Sequence, residues 1–214
     1  MKPGKYLLIA LFASSLSLTG CIKDDYYNVQ PTSAQPVGYQ YSFDDNFDRD
    51  QYNWSFSDKA NAAKVTVGGG TLQYIYEPKN DGTNTVAIQT GANLNNDFLI
   101  QTKISSNNAM GLVFGVSDND YGYSLMIDDQ GYFALYSEGS ANISAKALID
   151  WQESTAIQQG WNEIELEQVD GYWVGYANGT KLFELKQKQL YGSKIGFITL
   201  ANTRGFADYL TVQW

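Results

Sequence analysis

Glu163, Glu165 and Glu167, interleaved with Ile164 and Leu166, are the residues whose types and spacing could do chemistry. On a β-strand, alternate residues share a face, so the three carboxylates stand about 6–7 Å apart from one to the next. Paired carboxyl groups are the equipment of glycoside hydrolysis, one acting as nucleophile and the other as general acid. A retaining reaction wants them about 5–5.5 Å apart. The same five residues also describe an ordinary half-buried strand, with Ile164 and Leu166 inward and the glutamates in water. Lysines such as Lys181 and Lys186 on nearby strands would then offset the like charges. The solvated strand is the expected reading, and catalysis by Glu163, Glu165 and Glu167 is the alternative.

Other chemistries are closed to this chain. Its 214 residues include no histidine and one cysteine. That excludes Ser-His-Asp and Cys-His nucleophiles, His-ligated zinc or iron, and an intramolecular disulfide. A formal net charge of −9 argues against a nucleic-acid partner, which would need clustered Lys and Arg. Aromatic residues make up 14% of the chain, with 16 Tyr and 20 Gly. That mixture predicts a β-rich domain with many tight turns.

Three segments follow from the patterning. Residues 1–21 read as an export signal: Lys2 and Lys5 are basic, Tyr6 to Phe12 are apolar, and Leu18-Thr19-Gly20-Cys21 follows. The apolar stretch is too short for a permanent membrane span. The Leu-Thr-Gly-Cys run resembles the bacterial lipobox, which implies lipidation at Cys21 and attachment to the membrane through that lipid alone. Without Lys2 and Lys5 the mature chain has 12 basic and 23 acidic residues, near −11. Residues 22–38 read as a flexible tether, poor in apolar residues and holding Pro31 and Pro36. Lys23-Asp24-Asp25 resembles the surface-export signal of Bacteroidetes lipoproteins, which implies an outer-membrane lipoprotein displayed at the cell surface; the alternative is a solvated acidic linker on a periplasm-facing anchor.

Residues 39–214 read as one all-β domain. Phe98, Ile100, Thr102 and Ile104 share one face, while Leu99, Gln101 and Lys103 share the other. Met110 to Val116 is apolar on both faces, as a central covered strand requires. Asn178-Gly179 predicts a type I′ hairpin joining Tyr172–Ala177 to Thr180–Leu185. Helical signals are nearly absent, with room for one short turn between Trp151 and Gln159.

The string Gly111-Leu112-Val113-Phe114-Gly115, followed by Asp118-Asn119-Asp120-Tyr121, resembles the concanavalin A-like lectin/glucanase superfamily. Its laminin-G-like and family 16 glycoside hydrolase-like domains in bacterial lipoproteins are the nearest in pattern. Asp44-Asp45-Asn46-Phe47, Asp150-Trp151-Gln152-Glu153, Ile195-Gly196-Phe197 and the closing Phe206 to Trp214 strand support the likeness. The resemblance implies a two-sheet antiparallel jelly-roll sandwich, often glycan-binding. Family 16 hydrolases carry Glu-x-Asp-x-Glu or a bulged relative on such a strand; here Glu165 replaces the central Asp, which argues against hydrolysis. Relatives often hold a structural calcium near the chain ends, for which Asp45 and Asp208 are the least arbitrary ligands; no other cofactor is expected.

Aromatic residues offer the better site. Sugars stack their C–H faces on Trp and Tyr, and Trp151 stands in the most polar surroundings of the five tryptophans, beside Asp150, Gln152 and Glu153. Tyr172, Val174 and Tyr176 share a strand face opposite Trp173. The expectation is a non-catalytic module that binds a neutral polysaccharide or oligosaccharide through Trp151, Tyr172 and Tyr176. The alternatives are a divergent hydrolase acting on β-glucan, and a protein-interaction module of a surface polysaccharide-utilisation assembly.

Overall fold

The computed structural model describes residues 38–139 and 144–214. Cys21, the expected export signal and all of the expected tether except Gly38 lie outside these residues. The described chain is strand and turn throughout. In chain order the strands are β1 (Ser42–Asp45), β2 (Phe56–Ser57), β3 (Ala63–Gly68), β4 (Thr71–Tyr76) and β5 (Thr83–Gln89). They continue with β6 (Phe98–Ser106), β7 (Ala109–Val116), β8 (Gly122–Asp128), β9 (Tyr132–Glu138) and β10 (Lys146–Glu153). The last five are β11 (Asn162–Val169), β12 (Tyr172–Ala177), β13 (Thr180–Lys186), β14 (Lys194–Leu200) and β15 (Thr203–Gln213).

Two antiparallel sheets form a jelly-roll sandwich. The larger runs β13-β12-β11-β6-β15-β4-β3-β2, with β1 also paired to β15. The smaller runs β10-β9-β8-β7-β14-β5. The all-β domain expected from the alternation is found, and so is the two-sheet jelly roll that the resemblance implies. β6 buries Phe98, Ile100, Thr102 and Ile104 and turns Leu99, Gln101 and Lys103 outward. β7 lies between β8 and β14 and is buried along its whole length, as its two apolar faces require.

Turn chemistry sets the register around β11. Asn178 and Gly179 have φ of 49° and 75°, the left-handed pair that a type I′ turn demands. Asp170 and Gly171, at 50° and 80°, make the matching turn between β11 and β12. Asn178 also locks its surroundings: Nδ2 donates to Ala156 O and to Asn162 Oδ1, each at 2.8 Å, and Oδ1 accepts from Glu163 N at 2.9 Å. Between Trp151 and Gln159 the chain stays extended through Glu153 and then makes a tight turn, Ile157 N donating to Ser154 O.

The core between the sheets is aromatic. Trp54, Trp173, Tyr74, Phe47, Phe98, Phe114 and Phe197 are fully buried in one cluster. Each buried indole N–H has a partner, as burial of a donor requires. Trp54 Nε1 donates to Asp45 Oδ2 at 2.8 Å, and Trp173 Nε1 donates to Gln168 Oε1 at 2.9 Å. Gln168 in turn donates Nε2 to the Asn96 carbonyl at 2.7 Å, tying the β5–β6 connection to the core.

Candidate functional site

β11 positions its glutamates by simple alternation. Ile164 and Leu166 are buried, so Glu163, Glu165 and Glu167 face out from the middle of the larger sheet. Register then places their neighbours. On β6, Lys103, Gln101 and Leu99 stand opposite Glu163, Glu165 and Glu167. On β12, Tyr176 stands opposite Glu165 and Val174 opposite Glu167. Tyr209, at the irregular point of the β15–β6 pairing, and Tyr39, just before β1, lie within electrostatic reach of the same carboxylates.

The result is a row of alternating aromatic and polar groups along β11. At one end Trp161 is 38% exposed, with Lys103 Nζ 5.8 Å from its ring centroid. Lys103 is also within 3.8 Å of Asp208. Next come Glu163 and Tyr209, then Glu165 with Tyr176, then Glu167 with Asp97 and Tyr39. Trp161 to Glu167 spans about 20 Å at strand rise. Glu165 Oε2 accepts from Gln101 Nε2 at 2.8 Å.

Electrostatics along the row follow from crowding. Burial, then Glu165 and Asp97, raise the Glu167 carboxyl above the usual carboxylate range. Burial first, then Glu167, Asp97 and Glu165, push the Tyr39 hydroxyl up to about 12. Tyr176 and Tyr209 are raised by burial and by the same glutamates. The phenols therefore remain neutral donors beside carboxylate acceptors. Among the described residues none of the three glutamates is ion-paired, because the nearby cations have other partners. Lys181 binds Glu184 at 3.0 Å, and Lys103 leans on Asp208.

The expected binding trio does not come together. Tyr172, 45% exposed, and Tyr176 face out from β12 in the larger sheet. Trp151 belongs to β10 in the smaller sheet and is half-buried against the outward-facing Val113, Met126 and Ile198. Its polar sequence neighbours concealed that packing: irregular pairing at Ile149/Gln152 shifts the alternation, so Asp150 and Gln152 face solvent while the indole lies on the sheet. Trp161 is the more exposed indole, and a single position before β11 decides it.

Asp45 and Asp208 are also apart in role. Asp45 is buried, with its oxygens taken by Trp54 Nε1 and by Phe47 N at 3.0 Å. Asp208 is at the surface beside Lys103. No group of three or more Asp, Glu or Cys suited to a metal ion occurs among the described residues.

No protein-family model matches the chain, and no curated protein matches it in sequence. Solved structures do. A carbohydrate-binding module from Bacillus subtilis aligns with a TM-score of 0.52 at 11% identity, over 67% of this chain and 86% of that one. A GlcNAcα1-4Gal-releasing endo-β-galactosidase from Clostridium perfringens aligns with the same TM-score, 0.52, at 11% identity. That match covers 83% of this chain and 63% of that chain. What the alignments share with this chain is the two-sheet antiparallel β-sandwich. At such identities the likeness is one of fold, and a fold does not by itself decide between a binding face and a hydrolytic one. The choice between them rests on the row along β11.

Proposed function

We propose that the outer face of the larger sheet binds a neutral glycan strand without cleaving it, on a domain held to the outer membrane through a lipid on Cys21. What supports this most is the alternation of Trp161, Tyr209, Tyr176 and Tyr39 with unpaired carboxylates and Gln101 over one open strand. Aromatic rings offer apolar surface to sugar C–H faces, and the carboxylates accept hydroxyl hydrogens. Glu163, Glu165, Glu167 and Asp97 also set the sign of the ligand. A polyanion would meet four carboxylates on a chain of net charge −9, with Lys103 already leaning on Asp208. Affinity for an isolated sugar is modest, since each hydroxyl exchanges water for protein at small net gain.

A neutral-glycan array tests the reading: retention of uncharged polysaccharides and not of anionic ones is expected, and the reverse preference defeats it. Hydrolysis is the second reading. Burial, then Glu165 and Asp97, raise the Glu167 carboxyl, and a raised carboxyl beside a second carboxyl is what a general acid needs. Reducing-end release from a β-glucan that vanishes in Glu167→Gln would establish it. For the anchor, Cys21→Ala is expected to move the protein from the membrane to the soluble fraction; unchanged partitioning defeats that part.

A further inference from the structure

We infer that the pocket at the edge of the larger sheet, between Tyr41 and Trp214 on one side and Asn93, Asn96 and Asp97 on the other, is a second subsite for a neutral sugar ring. The inference rests on the glycan-binding reading and extends it to Tyr41, Trp214, Asn93 and Asn96, which the row does not include.

The pocket measures about 390 Å³, within the range of small-ligand sites. Tyr41 and Trp214 form its apolar wall, their rings 5.9 Å apart and inclined by 24°. Tyr41 is 62% exposed, so its face is open to a ligand. The opposite wall is polar and comes from the β5–β6 connection. Amides of Asn93 and Asn96 can both donate and accept, and the two oxygens of Asp97 can accept from neighbouring hydroxyls of one ring. That combination fits an uncharged polyol with an apolar face. An anion is disfavoured by Asp97 and Glu167, and a purely apolar ligand would strand the amides.

Both walls are fixed before anything binds. Trp214 N donates to Tyr41 O at 3.1 Å, while Gln40 N and Tyr41 N donate to Trp214 O at 3.0 and 3.1 Å. The facing wall is held through Asn96 O, which accepts from the buried Gln168 amide at 2.7 Å. Rigid walls spare the ordering cost that weakens loop-built sites.

Tyr39 joins the pocket to the row. It lines the pocket, yet its hydroxyl stands close enough to Glu167 and Glu165 to be perturbed by them. That hydroxyl is buried and has no hydrogen-bond partner among the described residues. A glycan lying along β11 with its Glu167 end at Tyr39 therefore continues into the pocket, and longer oligomers gain contacts that short ones lack.

The test is an NMR titration of the ¹⁵N-labelled protein with laminari-, cello-, xylo- and manno-oligosaccharides of increasing length. The indole N–H signals of Trp214 and Trp161 are assigned through Trp214→Phe and Trp161→Phe. The inference predicts a saturable Trp214 shift with at least one series, and an affinity about tenfold lower in Tyr41→Ala with the fold intact. A Trp161 shift without a Trp214 shift overturns the pocket and leaves the row standing. A Trp214 shift without a Trp161 shift supports the pocket and defeats the row. No shift at either indole overturns both.

Discussion

Gln101 Nε2 donates to Glu165 Oε2 at 2.8 Å, and the two residues stand directly opposite each other on β6 and β11. The bond fixes one carboxylate in the middle of the row, while among the described residues its neighbours Glu163 and Glu167 have no cationic partner. It is a positioning contact at the surface, so its removal costs the fold little. Gln101→Ala is expected to weaken neutral-glycan binding several-fold while urea-unfolding stability changes by no more than about 1 kcal/mol. Unchanged affinity in calorimetric titration would remove Glu165 from the site.

Gln168 is the opposite case. It is buried, and its amide serves Trp173 Nε1, Asn96 O and, at 3.5 Å, Leu94 O. Gln168→Leu keeps most of the volume but leaves a buried indole N–H and a buried-side carbonyl unpaired, each costing about 1–3 kcal/mol. A loss of about 2–4 kcal/mol in the urea midpoint analysis is expected. A loss under about 0.5 kcal/mol would mean that water replaces the amide freely.

Period-2 alternation made most strands legible, because a half-buried strand must write its two faces into alternate residues. β6, β11 and β12 follow that rule, and Asn178-Gly179 marked its hairpin because only such a pair accepts two left-handed residues. The outward set Tyr172, Val174 and Tyr176 was legible for the same reason. Trp151 was not: polar neighbours in sequence say nothing of a face once strand pairing is irregular. Tyr39, Tyr41 and Trp214 gave no signal, since their proximity arises from β1 closing on β15, a contact between distant parts of the chain.

Trp151 now has a structural task on the smaller sheet, against Val113, Met126 and Ile198. Trp151→Ala is expected to cost about 2–3 kcal/mol by uncovering that apolar face, and to leave glycan affinity unchanged. Lost binding in a fully folded variant would move the site to the smaller sheet.

Glu138 gives a pH signature independent of the row. Burial raises its carboxyl pKa, partly countered by the Ser124 hydroxyl, which hydrogen-bonds it. A carboxyl whose pKa is higher folded than unfolded opposes folding once ionised. The penalty is absent below the ordinary carboxylate range and develops as pH rises through the raised value. Glu138→Gln is therefore expected to unfold at higher urea than the parent at pH 7, with the gap closing in acid. A gap that widens in acid would contradict the burial argument.

Trp161 offers the most direct test of the central claim, that the row along β11 is a neutral-glycan site. The measurement is calorimetric titration of parent and Trp161→Ala with the uncharged polysaccharide that the array retains best. The account predicts saturable binding by the parent and at least tenfold weaker binding by the variant, about 1.4 kcal/mol, with the same thermal midpoint. Equal binding by the two proteins would contradict it.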